Sequence, residues 1–484
     1  MKKKIIRYTD DIAANNKKLE GKFFPAYFLL LRLKARSVFD LKIFILIFFF
    51  CFIFAPQLFS QSIIPGLYIS KNANKAEIPF DRQGNFIILK VLFNGILPLR
   101  FMFDTGAEHC ILTKKEVASI FNITYDKQII IHGSDLHTEV KAYIARKVKL
   151  GLEGVDLIKD ILVLDEDYFK FDKFAGLEIQ GIIGAETFRN YVVKLDYIKQ
   201  IMTIYEPSAF TENEHKGYQS LDIQILHNKP FIKTQAQIES DSIVNLKLLI
   251  DTGAGLAMLL YAHSTPGLNS PTTSIESNIG TGLGGDLTGF MGRIKKFNIG
   301  NQLSAKSNEQ ITLIPEGLEK NSKLIAHRSN IKNERSFSGV IAAFQEVRDL
   351  ADTSFLLGRN GVLGGEILSR FHTIIDFPKE KIYLKPNRDF NESFNFDKSG
   401  INFIAQGENL NKFTVNSVIY KSPASEAKIW RGDELISLQR IPARLLSLSD
   451  LIKRLQGRTG KKIRLALRRD GKKIVKYIVL RDLI

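Results

Sequence analysis

Phe101-Met102-Phe103-Asp104-Thr105-Gly106-Ala107 is the stretch that decides the fold, and it returns as Leu248-Leu249-Ile250-Asp251-Thr252-Gly253-Ala254. In each copy three apolar residues run straight into a carboxylate, a small hydroxyl residue and a glycine, so a buried strand delivers an acid into a tight turn. Taking a lone carboxylate out of water is costly unless it is paired or neutralised. Two such carboxylates relieve one another when they meet. Like charges at contact distance cannot both ionise, and the pair holds one proton between them.

Other features recur in matching order. Gly181-Ile182-Ile183-Gly184-Ala185 follows the first acid and Gly361-Val362-Leu363-Gly364-Gly365 follows the second. Beyond them, Val192 to Tyr197 closing with Ile204-Tyr205-Glu206-Pro207 matches Thr373 to Pro378 closing with Ile382-Tyr383-Leu384-Lys385-Pro386. Both read as a strand, a turn and a returning strand. Ahead of the acids, Ile78 to Ala107 is strand-like with a hairpin signal at Asn94-Gly95, and Phe231 to Ala236 with Val244 to Ile250 lead into Asp251. A unit that occurs twice predicts a pseudo-twofold pair of β-rich lobes with the acids at their junction.

On these motifs the chain resembles the pepsin and retropepsin superfamily of aspartic peptidases. The resemblance implies a mainly β fold with two pseudo-symmetric retropepsin-like acid protease lobes, at residues 75–210 and 211–392. It makes Asp104 and Asp251 the catalytic pair, holding a water between them and cleaving peptide bonds of a peptide or protein substrate. Both acids lie in one chain, so no dimer is needed. Thr105 and Thr252 would hydrogen-bond across the lobe interface, Gly106 and Gly253 would let backbone N–H groups approach the carboxylates, and Gly184 and Gly364 belong to the apolar segments packed behind them. Pepsin-like enzymes usually place Ser or Thr where this chain has Ala107 and Ala254. A hydroxyl there would stabilise the ionised form, so its loss predicts a less acidic pair and an optimum nearer neutral. Family members also close a flap over the substrate. Gly282, Gly284 and Gly285 in Gly280 to Gly285 are candidates for its tip, with His132-Gly133-Ser134 a weaker counterpart in the first half. The glycine run lacks the Lys-Ser/Thr ending of a phosphate loop.

The net charge of +17 is uneven. Residues up to Lys42 carry about +7 and those from Asn395 onward about +11, leaving the middle near neutral, which speaks against a nucleic-acid enzyme. Ile43 to Ala55 is apolar and uncharged, shorter than the roughly 20 residues of a membrane-spanning helix. With its basic flank it reads as a signal peptide or signal anchor within a leader of residues 1–61, predicting export to a bacterial periplasm or cell envelope, with membrane contact only through this segment if it is retained. Cys51 falls in that run, and Cys110, just after the first acid, reads as a small buried core residue. No spacing of Cys, His, Asp or Glu suggests a metal, and no cofactor is expected. His327 and His372 are isolated. In the second half, the acid precedes its glycine segment by about 110 residues against about 77 in the first. The excess is a polar insertion between Leu303 and Asp352.

After an Asn- and Phe-rich linker, Pro386 to Ser399, comes Ser422-Pro423-Ala424-Ser425-Glu426-Ala427-Lys428-Ile429-Trp430-Arg431-Gly432-Asp433-Glu434-Leu435-Ile436. This stretch resembles the core of PDZ domains, with Lys428 in place of a usual glycine and Gln439-Arg440 in place of a usual Asn-Gly turn. A helix at Ser449 to Leu455 and an Asp470-Gly471 hairpin complete an α+β PDZ domain at residues 393–484. The resemblance implies capture of a C-terminal peptide at a sheet edge, with Gly400, Ile401, Asn402 and Phe403 as the carboxylate loop. Besides a broad peptidase, a narrowly specific maturation enzyme and a scaffold whose lobes bind without cleaving remain open.

Overall fold

The computed structural model describes residues 65–70, 73–133, 138–300, 336–346 and 356–484. The leader with Ile43 to Ala55 and Cys51, Ser134, His327 and most of the stretch read as a polar insertion lie outside the described residues; within that stretch Ser336–Glu346 is instead a largely buried strand of the second half.

The chain is mainly β. The first half runs β1 (Gly66–Ile69), β2 (Lys75–Gln83), β3 (Phe86–Phe93), β4 (Leu97–Asp104), β5 (Ile111–Leu112), β6 (Tyr125–His132), β7 (Glu139–Leu152), β8 (Val155–Leu164), β9 (Gly181–Gly184), β10 (Val192–Asp196) and β11 (Ile201–Tyr205). The second runs β12 (Gln219–Leu226), β13 (Lys229–Gln237), β14 (Val244–Ile250), β15 (Met258–Ala262), β16 (Ile275–Gly282), β17 (Gly285–Asn298), β18 (Ser336–Glu346), β19 (Gly361–Leu363), β20 (Phe371–Asp376) and β21 (Lys381–Pro386). Short helices punctuate them: α1 (Lys115–Ile120), α2 (Phe171–Phe174) and α3 (Gly365–Leu368).

Strand pairing repeats with the sequence. β4 runs parallel to β9 with Phe101 opposite Gly181, and β14 runs parallel to β19 with Leu248 opposite Gly361. β5 pairs parallel with β8 and antiparallel with β9, just as β15 pairs with β18 and β19. Hairpins β6–β7 and β16–β17 correspond in the same way. The halves are sewn together by β10 and β20, antiparallel with Val193 opposite Ile375, in a run β2-β11-β10-β20-β21-β12. Asn94 and Gly95 take positive φ at the β3–β4 turn, as their sequence leads one to expect.

The uninterrupted apolar run ahead of each acid has a clear cause: both faces of the strand are covered. Side chains alternate across a strand, so Phe101 and Phe103 enter a core shared with Leu248 and Ile250. Met102 faces a first-half cluster and Leu249 a second-half one. Cys110 is fully buried in the shared core, 3.2 Å from the Thr187 hydroxyl.

The C-terminal module holds β22 (Ile401–Gln406), β23 (Lys412–Val418), α4 (Pro423–Glu426), β24 (Glu434–Leu438), β25 (Ile441–Pro442), α5 (Leu448–Leu455), β26 (Lys462–Arg469) and β27 (Lys472–Val479). Ser447 and Asp450 form a reciprocal capping box at the start of α5. Lys428, Gln439 and Arg440 take positive φ.

The stretch read as a linker is a packing element. Phe394 sits among Phe337 and the Arg370 guanidinium, which lies 3.8 Å from its ring centroid, while Phe390 packs on Phe371 at 5.3 Å. Buried Arg370 is satisfied by the linker's own carbonyls, those of Phe390, Glu392 and Ser393. Composition could not reveal this, because Phe in a polar run becomes core only where a partner surface exists.

Candidate functional site

The two Asp-Thr-Gly turns meet back to back. The Thr105 hydroxyl donates to the Ile250 carbonyl at 2.7 Å and accepts from the Thr252 N–H at 3.1 Å. Reciprocally, the Thr252 hydroxyl donates to the Phe103 carbonyl at 2.9 Å and accepts from the Thr105 N–H at 3.1 Å. Both threonines are buried. Small side chains with both donor and acceptor capacity are needed here, since each hydroxyl satisfies two backbone groups that no ladder reaches.

This cross-link brings the carboxylates into mutual hydrogen bonding. The glycines make the approach possible: a Cβ at Gly106 would collide with the Asp251 carboxylate, and one at Gly253 with that of Asp104. Behind the acids, Gly184 and Gly364 lie so close to the His109 and Leu256 carbonyls that a side chain has no room at either. Asn85 and Asn228, at the tips of the β2–β3 and β12–β13 turns, each reach across to the loop following the opposite acid: Asn85 Nδ2 donates to the Gly255 carbonyl at 2.7 Å, Asn228 Nδ2 to Glu108 Oε1 at 3.4 Å.

The pair is not electrically symmetric. Asp104 Oδ1 accepts from the Gly106 N–H at 2.7 Å and the Ala107 N–H at 3.1 Å. Asp251 Oδ1 accepts from the Gly253 N–H at 2.8 Å, while the Ala254 N–H points to the Asp251 backbone carbonyl at 3.5 Å. Burial raises both carboxyls above the ordinary value. For Asp104 the hydrogen bond from Asp251, the two N–H donors and the Lys229 charge pull it back. For Asp251 the negative Asp104 adds to burial and holds it well above that value, against the Gly253 N–H and Arg359. Two N–H donors at Asp104 against one at Asp251 favour the ionised form more at Asp104, and the two acids titrate as a unit.

Lys229 and Arg359 were not legible as site residues. Isolated cations, Lys229 at the start of β13 and Arg359 in the loop before β19, give no pattern, and only folding brings them within electrostatic reach of the acids. Burial and the mutual repulsion of these two cations lower the Lys229 ammonium from its ordinary value.

The glycine run forms the tip of the β16–β17 hairpin, with Gly280, Gly284 and Gly285 at positive φ. Its Leu283 packs on the first-half cluster that contains Met102 and Ala107, beside Asp104. The matching β6–β7 hairpin carries His132 and Gly133 at its end. In the C-terminal module, Ile401 and Phe403 point into the module's core. The Gly400 N–H donates to Asp397 at 2.6 Å and the Ile401 N–H to the Ser399 hydroxyl at 3.1 Å. Asn402 lies on β22, partly buried. Among the described residues no group of three or more His, Cys, Asp or Glu side chains could hold a metal.

Residues 89–187 match a family model described as aspartyl protease. The matched span carries Asp104, Thr105, Gly106 and Gly184, and ends before Asp251. No match to the chain was found among curated proteins.

Proposed function

We propose that this chain is a single-chain aspartic endopeptidase of two retropepsin-like lobes, with Asp104 and Asp251 as its catalytic pair and a PDZ-like C-terminal module. The observation that carries this reading is the contact of two carboxylates, one from each repeat, held by reciprocal threonine bonds.

In the reaction, ionised Asp104 takes a proton from a water held between the acids while protonated Asp251 gives its proton to the peptide carbonyl oxygen. The water oxygen bonds to the carbonyl carbon, forming a neutral tetrahedral diol. Asp104 then passes its proton to the departing amine nitrogen, the C–N bond breaks, and a diol hydroxyl returns its proton to Asp251. Water is consumed, one peptide bond is lost, and the pair regains its starting protonation. The Gly280 to Gly285 hairpin closes over the reacting bond and excludes bulk water. Export to the periplasm or cell envelope belongs to the same proposal, resting on Ile43 to Ala55 alone.

The test is cleavage of an unbiased peptide library by the full chain. Cuts at internal peptide bonds, blocked by a transition-state mimic bearing a hydroxyl in place of the scissile carbonyl, support an endopeptidase. A folded chain that binds the mimic yet cuts nothing favours the scaffold alternative.

The pH profile follows from the same pair. One proton must be shared, so rate falls on the acid side when Asp104 protonates and on the alkaline side when Asp251 ionises. Burial raises both, and neither alanine supplies a hydroxyl to oppose it. The expected kcat/KM maximum lies above the ordinary carboxylate value of 3.8. A maximum well below that value overturns the assignment.

A further inference from the structure

The C-terminal module meets the peptidase region at a second place, far along the chain from the linker. β22 is an edge strand of its sheet, paired on one side with β23. The short helix α2, from the first half, lies against it. Just after α2, Gly176 sits between β22 and the start of α5: a Cβ there would fall 2.9 Å from Leu448 Cβ and 3.8 Å from Ala405 Cβ. Ile404, which strand alternation turns away from the core holding Phe403 and Ala405, is buried all the same. The loop entering β22 is also satisfied from within, since Asp397 Oδ1 accepts from the Ser399 N–H at 3.0 Å, the Ser399 hydroxyl at 2.8 Å and the Gly400 N–H at 2.6 Å.

The other side of this segment packs into the first-half cluster beside Asp104. Phe169 and Phe171, stacked at 4.8 Å, and Leu177 are buried in one cluster with Met102 and Ile182, and the flap-tip Leu283 packs against that cluster. Met102 precedes Asp104 by two residues, and Ile182 precedes Gly184 by two. One stretch, residues 169–177, thus packs on β22 and the start of α5 on one side and on the buried first-half cluster next to the strand carrying Asp104 on the other.

We propose that the C-terminal module is self-liganded: residues 169–177 occupy the groove between β22 and α5, and an extended peptide entering that groove displaces them from the cluster beside Asp104 and weakens substrate binding. The second clause rests on the peptidase reading; the first does not. A helical turn covers the edge of β22 without continuing its ladder, whereas an extended peptide supplies the missing strand. The segment holds its place through tethering, which gives an effective concentration of about millimolar. Substrate needs the segment seated and the groove peptide needs it removed, so each must weaken the other by the same factor.

The test uses the full chain with Gly176→Cys and Ala405→Cys. The 3.8 Å between Cβ positions matches the spacing of about 3.8 Å found in disulfides. Mild oxidation is expected to give a 176–405 link by peptide mapping, with buried Cys110 unreacted. Because a left-handed Cys at 176 could itself disturb folding, Gly176→Leu is read alongside by hydrogen exchange. Its larger side chain meets Leu448, and the amides of β22 are expected to exchange about tenfold faster while β26 and β27 stay protected. Absence of the link in a folded protein, or unchanged β22 exchange in Gly176→Leu, overturns self-liganding. For the coupling, Gly176→Leu is expected to raise KM about tenfold with a smaller change in kcat, and the oxidised double variant to keep wild-type KM. An unaltered KM in Gly176→Leu with exposed β22 overturns the coupling, and a chain with no peptidase activity leaves the link and exchange readouts standing by themselves.

Discussion

Asp251→Asn is expected to lower kcat/KM on every cleaved peptide by about 10²- to 10⁴-fold, the usual worth of a positioned acid or base. Asn at this site still offers an oxygen to the Gly253 N–H and an N–H to Asp104, so the local bonds survive. What it lacks is a transferable proton for the carbonyl oxygen. Asp104→Asn fails for the complementary reason: its amide accepts from Gly106 and Ala107 but cannot take a proton from water. Neither variant should lose stability, because each removes a buried group whose ionised form is disfavoured. Matched thermal unfolding with collapsed activity in both is the expected pattern. Retained cleavage in either variant means that the shared-proton pair is not the catalyst.

Thr105→Ala is expected to cost about 2 to 6 kcal/mol, taking about 1–3 kcal/mol for each of the two buried groups left unpaired. It strands the Ile250 carbonyl and the Thr252 N–H, both of which lose their hydroxyl partner between the halves. Thr252→Ala strands the Phe103 carbonyl and the Thr105 N–H in the same way. Thr105→Ser keeps the hydroxyl and is expected to restore most of the loss, which separates hydrogen bonding from packing. Urea unfolding of the three variants measures this directly. Activity should fall with Thr105→Ala even where the protein is folded, since these bonds set the distance between the carboxylates. A destabilisation below about 1 kcal/mol would show that water replaces the hydroxyl and that the grip is not structural.

The aromatic segments show where sequence reading stops. Phe390 and Phe394 lie in a polar, Asn-rich run, and their neighbours along the chain gave no sign that Phe337, Phe371 and Arg370 were waiting for them. Residues 169–177 are similar: three phenylalanines, an alanine and a glycine between β8 and β9 carry no period, yet they pack on both a first-half cluster and the C-terminal module. By contrast the β3–β4 turn, the Asp470-Gly471 turn and the helix near Ser449 were readable, because a turn or a cap depends on residues only a few positions apart.

The sequence by itself determined that two acids end two apolar strands, that the unit carrying them occurs twice, and that hairpin and strand signals recur in the same order around each. These are statements about local period and spacing, which the covalent chain carries directly. Only the tertiary structure decided that the acids meet, that two N–H groups reach the Asp104 carboxylate against one at Asp251, and that Lys229 and Arg359 come within electrostatic reach of them. Proton affinity depends on burial and on every charge and donor within a few ångströms, and although the N–H donors are local, the other groups acting on each acid, Asp251 and Lys229 on Asp104, Asp104 and Arg359 on Asp251, come from more than a hundred residues away along the chain.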